Sequence, residues 1–153
     1  MSYLTNYSIT FQNRKAYKKL LDSLSIEFIN QIPEGFNNNI IWNCAHVITV
    51  QQMFTYGLAE QPFTIPDEMF REFSPGTKPV KYYDEAYLVD IKKMLFTSME
   101  QLDADIRENK LKSLRPYMTA LKFEITDIDS AMAFNHYHEA LHMGHVLDLR
   151  RFL

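Results

Sequence analysis

Apolar residues recur along this chain at intervals of three and four, the spacing of helices that bury one face. Leu4, Tyr7 and Phe11, then Tyr17, Leu20, Leu21 and Leu24, mark the first stripe, with Lys15, Lys18, Lys19 and Asp22 on the other side. They predict an amphipathic helix over about residues 4–24, with a short helical turn over 25–30 before Pro33-Glu34-Gly35 breaks the chain. A second helix is expected over about 38–58, with the run Asn37-Asn38-Asn39 supplying its N-cap. It is apolar nearly all round, from Ile40 through Phe54, and carries no charged residue, so it should be the most buried helix.

Residues 59–83 hold four of the six prolines and read as a long irregular connection. Within it, Pro66 to Phe70 can form a short helical piece, and Ser74-Pro75-Gly76 is a turn signal. A connection of this length can travel the full height of a bundle, and long loops are often functional. Asp84 can cap a third helix reaching about Asn109, with Tyr87, Ile91, Met94, Leu95, Ser98, Leu102 and Ile106 facing inward. Residues 110–126 read as irregular, with a brief extended stretch at 122–126. A last helix runs from about Thr126 or Asp127 to the end. Its inner stripe is Ile128, Ala131, Asn135, His138, His142, His145, Leu149 and Phe152. The pattern is all-α: a four-helix bundle in a single domain over 1–153.

Composition narrows the class. At 153 residues the chain can bury a proper core, and 46% hydrophobic with 23% charged residues is the balance of a globular protein. A net charge of −3 gives no basic footprint, so nucleic acid is not expected as a partner. No apolar run approaches the roughly 20 residues of a membrane helix. Met1-Ser2-Tyr3-Leu4-Thr5-Asn6 lacks the basic-then-apolar layout of a signal peptide. The lone Cys44 allows no internal disulfide and suits a reducing cytoplasm.

The candidate chemistry lies in the last helix. Four of the five histidines fall between His136 and His145, and the fifth is His46. His138 and His142 are four apart, one turn apart on one helical face, where both rings can reach one metal ion at about 2.0–2.1 Å. His136 is rotated about 200° from His138 and reads as solvated surface. His145 stays near the stripe, as a fourth ligand or as a group that orients one. Polar groups in the middle of a core-facing stripe are costly unless paired or coordinated.

His138-Glu139-Ala140-Leu141-His142 also matches the metalloprotease pattern H-E-x-x-H, but no further Glu follows His142 and His145 comes too early for the longer H-E-x-x-H-x-x-G-x-x-H form. The third ligand then comes from upstream, where His46 is the only histidine. A di-iron bundle needs a second Glu-x-x-His pair, and the residue three before His46 is Asn43. Cys44 lies nearly opposite His46 and reads as core, while Trp42 and Asn135 are candidate walls of the site.

Two passages resemble the DinB/YfiT-like superfamily of four-helix bundles. Trp42-Asn43-Cys44-Ala45-His46 is similar to its Trp-x-x-x-His signature on the second helix. His138-Glu139-Ala140-Leu141-His142-Met143-Gly144-His145 is similar to its H-[DE]-x-x-H-x-G-Q segment on the last, with His145 where the family commonly has Gln. The resemblance implies an up-down-down-up topology with a long connection between helices two and three. It implies a divalent metal, zinc or nickel, on His46, His138 and His142, with water completing the shell. Its characterised members imply metal-dependent thiol S-transfer or thiol-dependent isomerisation. Three protein ligands with an open position extend the expectation to a metal-dependent hydrolase or thiol S-transferase acting on a small molecule, with a low-molecular-weight thiol as a candidate partner. Homodimers are frequent in the family. No catalytic side chain is assigned, and His145 and Glu139 are the candidates. The competing expectation is a non-catalytic binding or dimerisation module with a structural metal.

Overall fold

The computed structural model describes residues 3–153, with side chains from Tyr7 onward. Met1, Ser2 and the side chain of Leu4, expected on the first buried face, lie outside the described residues. The described chain is mostly helical, with six helices and one small ribbon. No helix in it is long and apolar enough to cross a membrane.

Helix α1 (Tyr3–Ser23) buries Tyr7, Thr10, Arg14, Tyr17, Leu20 and Leu21 at the expected spacing, so two members of its inner stripe are polar. Helix α2 (Ile26–Asn30) is capped by Ser25, whose hydroxyl accepts from Phe28 N. The chain then reverses through Gly35, whose φ of +83° is a left-handed conformation that favours glycine.

Helix α3 (Ile40–Gln52) is capped by Asn39, whose Oδ1 accepts from Trp42 N at 2.9 Å. All thirteen of its residues are buried, as expected of a helix without a charge. The segment expected to continue as α-helix to Leu58 instead widens into a π-helical turn, Met53–Gly57. There the Thr55 hydroxyl donates to the Gln51 carbonyl at 2.7 Å, competing for an acceptor of the regular ladder.

The long connection is more ordered than its prolines suggest. Its helical piece, expected to end at Phe70, runs one turn further as α4 (Asp67–Phe73) and packs against α3. Asp67 and Glu68 in its first turn and Arg71 in its last complement the helix dipole. Helix α5 (Glu85–Arg107) is capped by Asp84 and buries Leu88, Ile91, Leu95, Ser98, Met99, Leu102 and Asp105. Tyr87, Met94 and Ile106, expected on that face, are half-buried.

The stretch 110–126 contains a two-stranded antiparallel ribbon. β1 (Tyr117–Met118) pairs with β2 (Glu124–Ile125) in the register Tyr117 to Ile125. Two-residue strands are too short to show alternation, which is why β1 was not legible. Helix α6 (Ile128–Phe152) starts on a reciprocal cap between Asp127 and Ser130. Phe152, expected to face inward, is 68% exposed, because it lies in the last turn, beyond the deep packing.

Helix α1 packs against α5 and α6, and α3 packs against the same two. At one end, Asn30 joins three segments. Its amide donates to the Tyr83 carbonyl at 2.9 Å, its Oδ1 accepts from Tyr83 N at 2.9 Å, and its carbonyl accepts from Asn39 Nδ2 at 2.9 Å.

Candidate metal centre

Two helices that touch along their lengths, α3 and α6, bring three histidines together. The ring centroids of His46 and His142 are 4.6 Å apart, those of His138 and His142 4.5 Å, and those of His46 and His138 5.2 Å. One ring nitrogen from each lies within 4.8 Å of the other two. Bonds of about 2.0–2.1 Å hold imidazole nitrogens roughly 3–4 Å apart around one ion, so small side-chain rotations suffice to seat one.

The rings are oriented from behind. His46 Nδ1 lies 2.6 Å from the Phe73 carbonyl at the end of α4. A carbonyl only accepts, so Nδ1 carries the proton and Nε2 keeps its lone pair. His142 Nδ1 lies 2.8 Å from Asn43 Oδ1. Asn43 Nδ2 donates to the Asn39 carbonyl at 2.8 Å, which directs its oxygen at His142 and fixes that tautomer too. His138 Nδ1 is buried without a hydrogen-bond partner among the described residues. A buried imidazole nitrogen so left is costly unless something coordinates it.

Electrostatics keeps the rings in their ligating form. Burial, then the proximity of His142, His46 and Arg14, pushes His138 down to about 2. Burial, His46 and His145 push His142 down to about 3. Burial lowers His46, with the Phe73 carbonyl pulling the other way. Neutral imidazoles are what a divalent ion requires. Donor type and tautomer fit such an ion.

The three rings form part of the wall of a pocket of about 370 Å³. Trp42 stacks on His46 with centroids 4.4 Å apart and planes 14° apart, and Phe134 lies 6.2 Å from His138. The ribbon supplies Tyr117, Thr119, Ala120 and Leu121 to the wall, and the π-helical turn supplies Met53 and Phe54.

The remaining candidates sit elsewhere. His145 is half-buried and packs against Phe36 at 5.7 Å, outside the trio. His136 is half-buried rather than solvated surface. Glu139 is fully buried and turned towards α1. Arg14 Nη2 donates to its Oε1 at 2.7 Å, and Asn135 Nδ2 donates to the same oxygen at 2.9 Å. Asn135 thus belongs to that network, while Trp42 does line the site. Cys44 is fully buried, and burial pushes its thiol up, as befits core.

Sequence reasoning missed the Phe73 carbonyl and the role of Arg14. The first is a backbone atom delivered by a short helix and carries no residue signature. The second was legible only as an arginine on the apolar stripe of α1.

A helical bundle with a three-histidine cluster opening on a pocket defines the class. The chain belongs to the DinB superfamily, whose family model matches residues 10–146. Comparison with curated proteins finds no match.

Proposed function

We propose that this protein is a metal-dependent enzyme that acts on a small molecule, with His46, His138 and His142 holding a divalent ion. One observation carries the reading: the three histidines face a pocket of about 370 Å³ rather than a closed core. A catalytic site keeps a coordination position open, whereas a structural one is filled by protein ligands. The same observation disfavours the alternative of a metal that only braces a binding or dimerisation module.

The ion, when bound, supplies a Lewis acid able to activate water or a thiol at neutral pH. The chain's own residues do the rest. Phe73 and Asn43 fix two ring tautomers, and the hydrogen-bonded nitrogens leave the opposite edges free to ligate. Apart from the histidines, no acid or base of the carboxylate, amine or thiol type among the described residues lines the pocket. Glu139, the general base of an H-E-x-x-H protease, is held by Arg14 instead. Hydrolysis and thiol S-transfer both suit such a site, in which proton transfer does not rely on a neighbouring carboxylate. Imidazole ligands accept zinc and nickel alike, the two metals the resemblance implies.

The bundle reads as up-down-down-up. Asn30 ties the start of α5 to the start of α3, and Phe36, just before α3, packs on Phe152 at the end of α6. A cytoplasmic location is supported by the lone buried Cys44, and a homodimer by the exposed Val80, Tyr82 and Val89 around the start of α5.

The test is elemental analysis of wild type beside His46→Ala, followed by a screen of thiol and ester substrates on the metal-loaded protein. About one ion per chain in the wild type, lost in the variant, is the expected result. Absence of metal from both, after incubation with zinc or nickel, overturns the reading.

A further inference from the structure

The pocket over the histidines is walled without a formal charge. Among the described residues no aspartate, glutamate, lysine or arginine lines it, and its polar side chains other than the histidines are Asn38, Tyr117 and Thr119. Trp42, Val50, Met53, Phe54, Phe134 and Leu121 provide most of the surface. The nearest carboxylate in sequence to the trio, Glu139, is fully buried and paired with Arg14. An ionised group standing away from the trio gives up its hydration and meets no fixed counter-charge from a side chain, a large cost, because an ion on the histidines would offset charge only on the group that it binds. Aromatic faces adjoin two of the three histidines, Trp42 against His46 and Phe134 near His138. Such faces favour a ring in offset or edge contact. The volume, about 370 Å³, lies at the small end of ligand pockets.

We infer that the pocket takes an uncharged, aromatic small molecule that presents one polar group to the three histidines. The placement of that polar group rests on the metal-site reading above; the uncharged aromatic body rests on the walls alone. A charged thiol co-substrate then reaches the centre with its sulfur only, its ionised groups staying outside the pocket.

A matched pair of probes tests this. N-phenyl-1-naphthylamine and 8-anilinonaphthalene-1-sulfonate share one skeleton and differ by a single sulfonate. Trp42 is the only tryptophan in the chain and lies in the pocket wall, so energy transfer from it reports binding of either probe, and a substitution in the wall assigns that binding to this pocket. Both probes are titrated into the protein after chelation of metal, so that the walls alone are read. In the chelated protein the uncharged probe is expected to bind at least about tenfold more tightly than the sulfonate. Leu121→Asp should weaken the uncharged probe by about tenfold, and Leu121 is 56% exposed, so the fold tolerates the change. Equal or tighter binding of the sulfonate by the chelated protein overturns the inference. So does Trp42 emission indifferent to both probes, or binding unchanged in Leu121→Asp. Failure of the metal reading shows separately, as absence of metal in elemental analysis, and leaves the chelated titration fully informative.

Discussion

Arg14 and Glu139 stand 125 residues apart in sequence and form a fully buried ion pair between α1 and α6, with Nη2 to Oε1 at 2.7 Å and Nε at 3.1 Å from both carboxylate oxygens. Nη2 also donates to the Val47 carbonyl on α3, at 3.2 Å, so one guanidinium joins three helices. The Tyr17 hydroxyl donates to the Glu139 carbonyl at 2.8 Å in the same layer. Since Glu139 follows His138 directly, this pair sets how α6 presents its histidines to α3.

Removing one partner leaves a buried charge uncompensated. Glu139→Leu or Arg14→Leu should each destabilise the fold by about 3–5 kcal/mol. The double variant should lose less than the sum, because apolar groups of similar size can replace a buried pair at little cost. Arg14 Nη1 has no partner among the described residues, so the pair does not fully recover its desolvation. Urea unfolding of the four proteins measures this coupling. Additive losses would mean that the two side chains do not act as a pair.

Asn43 offers a cleaner separation of stability from ligation. Its Oδ1 holds His142 Nδ1, and its amide is held by Asn39. Asn43→Leu keeps the volume and removes the acceptor, so the His142 tautomer is no longer imposed. Metal affinity is expected to fall about 10–100-fold. Competition against a chromophoric chelator reads this directly. An affinity equal to wild type in a folded variant would show that Asn43 does not orient the ligand.

The four long helices were legible because each alternates apolar and polar faces at helical spacing or, in α3, carries no charge at all. The histidine trio was legible because His138 and His142 are one turn apart on α6 and His46 sits within an apolar run. What orients the trio was not. The Phe73 carbonyl belongs to a short helix inside a proline-rich connection, and no side chain announces it. Burial of Glu139 depends on Arg14, and each residue read alone belongs at the surface. The pocket wall from 117–121 depends on a ribbon whose strands are two residues long.

Acidity should act on the metal-free protein through the trio. Burial and mutual proximity hold His138 at about 2 and His142 at about 3, and burial lowers His46, while an unfolded imidazole titrates near 6.5. Above about pH 6.5 the rings are neutral folded and unfolded, so their contribution is fully present. As pH falls below that value, the unfolded chain binds protons that the folded chain refuses. Stability then drops by up to about 1.4 kcal/mol per pH unit for each ring. The Tm of chelated wild type should therefore fall between about pH 7 and 5, and more gently in a His138→Gln, His142→Gln double variant. An identical slope in the two proteins would place the acid sensitivity elsewhere.

His145 decides between an open centre and a closed one. Its ring packs on Phe36 at 5.7 Å and stands outside the trio, although it lies only one turn past His142 on α6. If three histidines hold the ion, His145→Gln should keep about one metal per chain, with affinity within about threefold of wild type. His142→Gln should lose the metal, since two imidazoles seldom hold a divalent ion against a chelator. Elemental analysis after dialysis against a weak chelator compares the two. Equal loss of metal in both variants would make His145 a fourth ligand, close the coordination shell, and turn the site from a reacting centre into a brace between α3 and α6.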